Sequence, residues 1–185
     1  MVILRPTRKL SMWLPATAVV PASSDTALGD WYVNRLVVDR QPLLLLVSST
    51  SLLPVLIPAR DVRGLPDRLA AIVRERLRRC GTDDRTIAAE IQAMAAVAVG
   101  PTVDRSVLGI MVDFAKAVPH YLEPGGWGEA DLLIVEERLA KTPCHAARSN
   151  DRVIFPDQKA PQVLRAKWLI HAPPQPAKGT SNGMH

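Results

Sequence analysis

Two cysteines, Cys80 and Cys144, are all the thiol chemistry this 185-residue chain possesses. They stand far apart and outside any Cys-x-x-Cys spacing, which excludes a disulfide scaffold and the common zinc frameworks. The opening Met-Val-Ile-Leu-Arg places an arginine where a secretory leader needs an apolar run, so a reducing, cytoplasmic compartment is expected. Four histidines, His120, His145, His171 and His185, make no i, i+4 pair, and no metal is expected. Aromatic residues are only 4% of the chain. The most apolar stretch, Leu43 to Ile57, is broken by Ser48, Ser49, Thr50, Ser51 and Pro54. It is also shorter than the roughly 20 residues of a membrane-spanning helix, so no membrane partner is expected. There is no glycine period, sustained heptad or internal repeat, which excludes collagen, coiled coil and solenoid. Gly-rich phosphate loops, a Gly-x-Ser-x-Gly elbow and spaced catalytic carboxylates are absent as well. No catalytic residue and no cofactor is therefore assigned.

What is present is 48% hydrophobic residues, enough for a core and too many for a disordered chain. The length suits one domain. Residues 1–171 read as a single α+β domain and 172–185, with Pro173-Pro174-Gln175-Pro176 and a Gly/Ser/Asn end, as a disordered tail. Val2 to Arg5 forms a short strand, ended by Pro6, and 13–28 is a loop rich in Ala, Pro, Ser and Thr. Trp31 to Val38, Leu43 to Val47 and Leu52 to Ile57 follow as strands joined by turns at Asp39-Arg40-Gln41-Pro42 and Ser48 to Ser51. Together they suggest an antiparallel meander. After Gly64 the period changes. Leu65, Leu69, Ile72, Val73, Leu77 and Cys80 recur at helical spacing, with Pro66 in the first turn and Gly81 as the stop. Thr82 or Asp83 caps a second helix, with Ile87, Ile91 and Met94 on its apolar face. Val97 to Val99 is a fourth strand. A third helix starts near Asp104 and is disturbed by Pro119, a fourth runs from about Glu129 to Lys141, and a short strand at 149–155 and a last helix at 161–170 complete the chain. Strands first and about four helices afterwards imply an α+β fold with the helices packed on one face of the sheet.

The net charge is +5, unevenly spread. Residues 60–85 hold eight arginines against five acids, while 101–144 hold four basic residues against seven acidic. Arg74, Arg78 and Arg79 lie off the apolar stripe of the first helix and form a basic surface, which suits phosphate backbones or an acidic protein. The plainer alternative is a solvated helix face.

Several segments resemble, in order and spacing, a bacterial family catalogued as a domain of unknown function. They are Leu28-Gly29-Asp30-Trp31-Tyr32 with Asn34 and Leu36; Ser51-Leu52-Leu53-Pro54-Val55; Thr102, Asp104-Arg105-Ser106-Val107-Leu108-Gly109, Met111, Asp113 and Phe114; and Arg138-Leu139-Ala140 with Thr142-Pro143-Cys144. The resemblance spans about residues 2–145. It departs at Val112, where the family carries Asn, and at His145-Ala146-Ala147, where it carries Gly-Pro-Leu. The family implies no activity.

Four places invite a chemical reading. Arg105, Ser106 and Asp113 belong to the helix beginning near Asp104, whose N-terminus suits an anion; the alternative is that Asp104 merely caps the helix. Trp31 and Asn34 place an aromatic and an amide at the start of a strand, where they contact a ligand or else sit in the core. Cys144-His145 has a thiol beside a base, but sequence neighbours diverge, so a buried structural cysteine is expected. Histidine spacing supplies no metal site. The leading expectation is a non-catalytic cytoplasmic binding module with a protein or nucleic-acid partner. The alternative is an enzyme or sensor acting on an anionic small molecule at Arg105, Ser106 and Asp113. A third expectation is self-association into a homo-oligomer.

Overall fold

The computed structural model describes residues 1–145 and 153–169. Five strands form one sheet: β1 (Val2–Pro6), β2 (Trp31–Val38), β3 (Gln41–Ser48), β4 (Pro54–Pro58) and β5 (Val97–Val99). Five helices accompany them: α1 (Leu65–Arg79), α2 (Asp84–Ala93), α3 (Arg105–Ala117), α4 (Glu129–Ala140) and α5 (Pro156–Trp168). The fold is α+β. The strand order β4-β3-β2-β1-β5 corrects the expected meander. β2, β3 and β4 are antiparallel neighbours, but β1 pairs in parallel with both β2 and β5. Val2, Ile3 and Leu4 are fully buried, as a central parallel strand covered on both faces requires.

The helices also occupy both faces of the sheet, not one. On the first face Trp31, Val33, Leu44, Leu46 and Val55 meet Leu69, Val73 and Leu77 of α1, Ile87 and Ile91 of α2, and Leu164 of α5. On the second, Tyr32, Leu43, Leu45, Val47 and Leu56 meet Val107, Met111 and Phe114 of α3 and Leu132, Val135 and Leu139 of α4. Strand alternation divides the apolar residues between two cores. β3 serves both, which explains its unbroken run from Leu43 to Val47.

The turns follow their residues. Asp39 and Arg40 both take positive φ (48° and 64°), so a two-residue hairpin joins β2 to β3, and Gln41 and Pro42 belong to the strand rather than the turn. Asp39 Oδ2 accepts from Gly125 N and Trp127 Nε1, each at 2.9 Å, and so pins the hairpin tip to the loop before α4. Gly29 has φ 74°, and a Cβ there would collide with Ser49 and Thr50. Asp83 caps α2, its side chain accepting from Thr86 N. α3 ends at Ala117, and Pro119 sits in the 3-10 turn Val118–Tyr121. α5 starts five residues earlier than the spacing predicts, at Pro156, with Pro161 inside it. Of the strand expected over 149–155, residues 149–152 lie outside the described residues; Ile154 makes one antiparallel bridge, to Cys144. The expected tail, 172–185, also lies outside them. Among the described residues no helix is long and apolar enough to cross a membrane.

Candidate functional site

The start of α3 is a cap. Asp104 Oδ1 accepts from Ser106 N at 2.8 Å, and Asp104 N donates to the hydroxyl of buried Tyr32 at 3.0 Å. Arg105 is exposed and Ser106 half-buried. Asp113 lies eight positions on, roughly 12 Å along the axis at about 1.5 Å per residue. The cavity that Asp113 lines includes neither Arg105 nor Ser106. Trp31 is fully buried in the first core, and its Nε1 has no hydrogen-bond partner among the described residues. Asn34, of opposite parity on β2, accepts from Thr7 Oγ1 at 3.0 Å. Trp31 and Asn34 therefore do not form a site together.

Asp113 instead lines a cavity of about 190 Å³ with Phe114, Tyr121, Cys144 and His145. Burial pushes the Cys144 thiol up to about 11, and the charge of Asp113 adds to the shift. Cys144 N and O exchange hydrogen bonds with Ile154 at 2.8 Å, and its thiol donates to Thr142 O. A thiol held so high is protonated at neutral pH and is a poor nucleophile. Among the described residues no group of three His, Cys, Asp or Glu side chains is placed to hold a metal ion.

The densest polar chemistry lies around the edge strand β4, where Arg79 alone of the residues singled out in the sequence takes part. α1 covers one face of the sheet and α4 the other, and their side chains meet around this edge. Arg76 Nε donates to Pro54 O at 3.1 Å, and Glu136 Oε1 accepts from Leu56 N at 2.7 Å. Glu136 Oε2 lies 2.7 Å from Arg79 Nη2 and 3.6 Å from Arg76 Nε. Arg76 and Glu136 are only 3% and 1% exposed. Burial pushes the Glu136 carboxyl up, against the pull of the Leu56 N–H and the two guanidiniums. Of the three arginines read as a basic surface, Arg79 is half-buried against Glu136, while Arg74 and Arg78 are exposed. Both missed ions carried a signal. Arg76 occupies the helical stripe of Leu69, Ile72, Val73, Leu77 and Cys80, and Glu136 that of Leu132, Val135 and Leu139. A charge on an apolar stripe is a charge that the fold intends to bury.

Above this clamp runs an apolar groove of about 380 Å³, lined by Val55, Ile57, Ala71, Ile72 and Leu133 and edged by Arg68, Glu75 and Arg79. Leu133 is 42% exposed and Ile134, the next residue of α4, 52%. On α1, Arg74 and Arg78 stand three and seven positions beyond Ala71, on the stripe that adjoins the groove.

The model of one protein family, described as Domain of unknown function (DUF6933), matches residues 3–159. No curated protein and no solved structure matches the chain.

Proposed function

The chain belongs to the DUF6933 family, and we propose that it is a non-catalytic, cytoplasmic interaction module that docks an acidic amphipathic helix of a protein partner along the α1–β4–α4 groove. The observation that carries this reading is the groove itself: an apolar floor of Val55, Ile57 and Ile72 with Leu133 exposed at its side, beside the arginines of α1. Leu133 and Ile134 are half-exposed on a helix whose other face is core, and such patches are uncommon on a surface with no partner. Arg68, Arg74 and Arg78 are exposed along the same side of α1, with Asp67 and Glu75 the only exposed acids on that helix. A helix with an apolar stripe and an acidic flank matches both features.

The supporting argument against catalysis is chemical. The Cys144 thiol is protonated at neutral pH, Asp104 caps a helix, and Glu136 is committed to a strand edge.

The test uses two labelled helical peptides that share an apolar face and differ in the sign of their polar face. Fluorescence polarisation should show tighter binding of the acidic peptide, weakening with salt. Leu133→Asp should abolish binding of both. Arg74→Glu with Arg78→Glu should weaken the acidic peptide about tenfold, an effect mostly on the association rate. Binding of neither peptide, or binding indifferent to Leu133→Asp, overturns the proposal. A nucleic-acid absorbance that co-purifies at low salt and leaves at high salt would replace the protein partner with RNA or DNA.

A further inference from the structure

We infer that a second cavity, at the carboxyl ends of β1 and β2, is a binding site for a small organic anion carrying a planar ring, of the mononucleotide type. The site follows from where β1 stops. Pro6 pairs with Val33, and Thr7 N donates to Val33 O at 2.9 Å as the chain turns away. Arg35 continues the side of β2 on which Trp31 and Val33 are core, but beyond the end of β1. There a cavity of about 360 Å³ opens, lined by Trp13, Arg35, Arg60, Asp61 and Arg63. Trp13 arrives from the segment after β1, and the other three from the turn between β4 and α1. The carboxyl ends of parallel strands are a common place for ligands, and the volume falls within the roughly 300–1,000 Å³ of small-molecule sites.

The charges in this cavity are available. Arg35 and Arg63 have no hydrogen bond or ion pair among the described residues, although Arg35 is half-buried. Arg60 pairs with Glu129 at 2.6 Å, but both side chains are largely exposed (78% and 61%), so the pair is weak and easily exchanged. Asp61 is the only acid in the lining, and its Oδ1 is occupied by Gly64 N at 3.0 Å. Three arginines and one aspartate leave the lining at +2. α1 begins two residues after Arg63, and although Leu65 N already donates to Val62 O and Pro66 has no N–H, the positive end of the helix dipole adds to the potential. Guanidiniums bind phosphate or carboxylate in a planar, bidentate manner. Trp13 is half-buried, packed on the first core and forming part of the wall, which puts an aromatic ring in the same cavity as those cations.

Calorimetric titration of the full chain with AMP, adenosine and inorganic phosphate tests this. AMP should bind, with adenosine and phosphate each at least tenfold weaker. Arg35→Met and Arg63→Ala should each weaken AMP about tenfold, and Trp13→Leu should bring AMP down to the affinity of phosphate. Arg63 is exposed, so Arg63→Ala leaves the melting temperature unchanged and reports on the site alone. Phosphate binding as tightly as AMP, no AMP binding, or AMP affinity untouched by both arginine changes overturns the inference. Peptide docking at the groove involves none of these residues and stands or falls separately.

Discussion

Glu90 and Glu136 are buried acids doing one job in two places. Glu90 is fully buried and accepts from Ala27 N at 2.8 Å, Leu28 N at 3.0 Å and Trp168 Nε1 at 2.7 Å, holding the loop before β2 and the end of α5. Glu136 does the same for Leu56 on the sheet edge, and brings two arginines with it. Backbone donors with no strand to meet are satisfied by carboxylates sent from helices. Removing one member of such a cluster strands the rest. Glu136→Leu should cost about 3–5 kcal/mol, since Arg76 then lies buried beside carbonyl groups alone. Arg76→Leu in the Glu136→Leu background should cost far less than it does in the native chain. Urea denaturation of the two single variants and the double closes the cycle; costs that add within about 0.5 kcal/mol would mean the pair is not coupled. Cys144 gives a second residue-scale expectation. Its thiol is raised to about 11 by burial and by Asp113, so iodoacetamide labelling should be very slow at neutral pH and rise about tenfold per pH unit until near that value. Asp113→Asn removes the charge that raises the thiol, so labelling at a fixed pH should accelerate. An unchanged rate would place the cause in burial alone.

Among the elements, β4 shows how a sheet edge is closed without a further strand. Leu53 O accepts from Ser48 N and Ala59 N donates to Pro42 O, so odd positions face β3 and positions 54, 56 and 58 face outward. Pro54 and Pro58 have no N–H to offer, and the N–H of Leu56 is taken by Glu136. The edge has no donor left for a neighbouring chain. Pro54→Val with Pro58→Val restores two donors, and should raise thioflavin-binding aggregation on warming; aggregation equal to the parent would mean that the helices alone guard the edge. A proline in a strand belongs at an edge or an end, and the helix stripes were legible in sequence: α1 begins at Leu65, as its spacing predicts, and Gly81 follows it at φ 69°. The pairing of β1 was not. Val2-Ile3-Leu4 lacks alternation, which marks a strand covered on both sides, but its two neighbours lie about 30 and 95 positions away, and no local pattern encodes that choice. The same reason hid both grooves. Trp13, Arg35 and Arg63 are unremarkable in their own segments and become a site only where β1 ends.

At the scale of the whole molecule, the sheet divides two cores to which β2, β3 and β4 each contribute alternate residues, and the two candidate binding places fall at different ends of that partition. The groove follows the β4 side, where helices of opposite faces are tied together by ions; the arginine cavity sits at the ends of β1 and β2. Occupying one therefore need not disturb the other. The order β4-β3-β2-β1-β5 has a further consequence for how the chain comes into being. Strands β2, β3 and β4 can pair as soon as they leave the ribosome, since each follows its partner closely. β1, made before them, must wait for a partner strand some 95 residues further on, at Val97–Val99. Until then Val2, Ile3 and Leu4 are an apolar run with one open side, and the centre of the sheet stays unfinished after its antiparallel strands have paired.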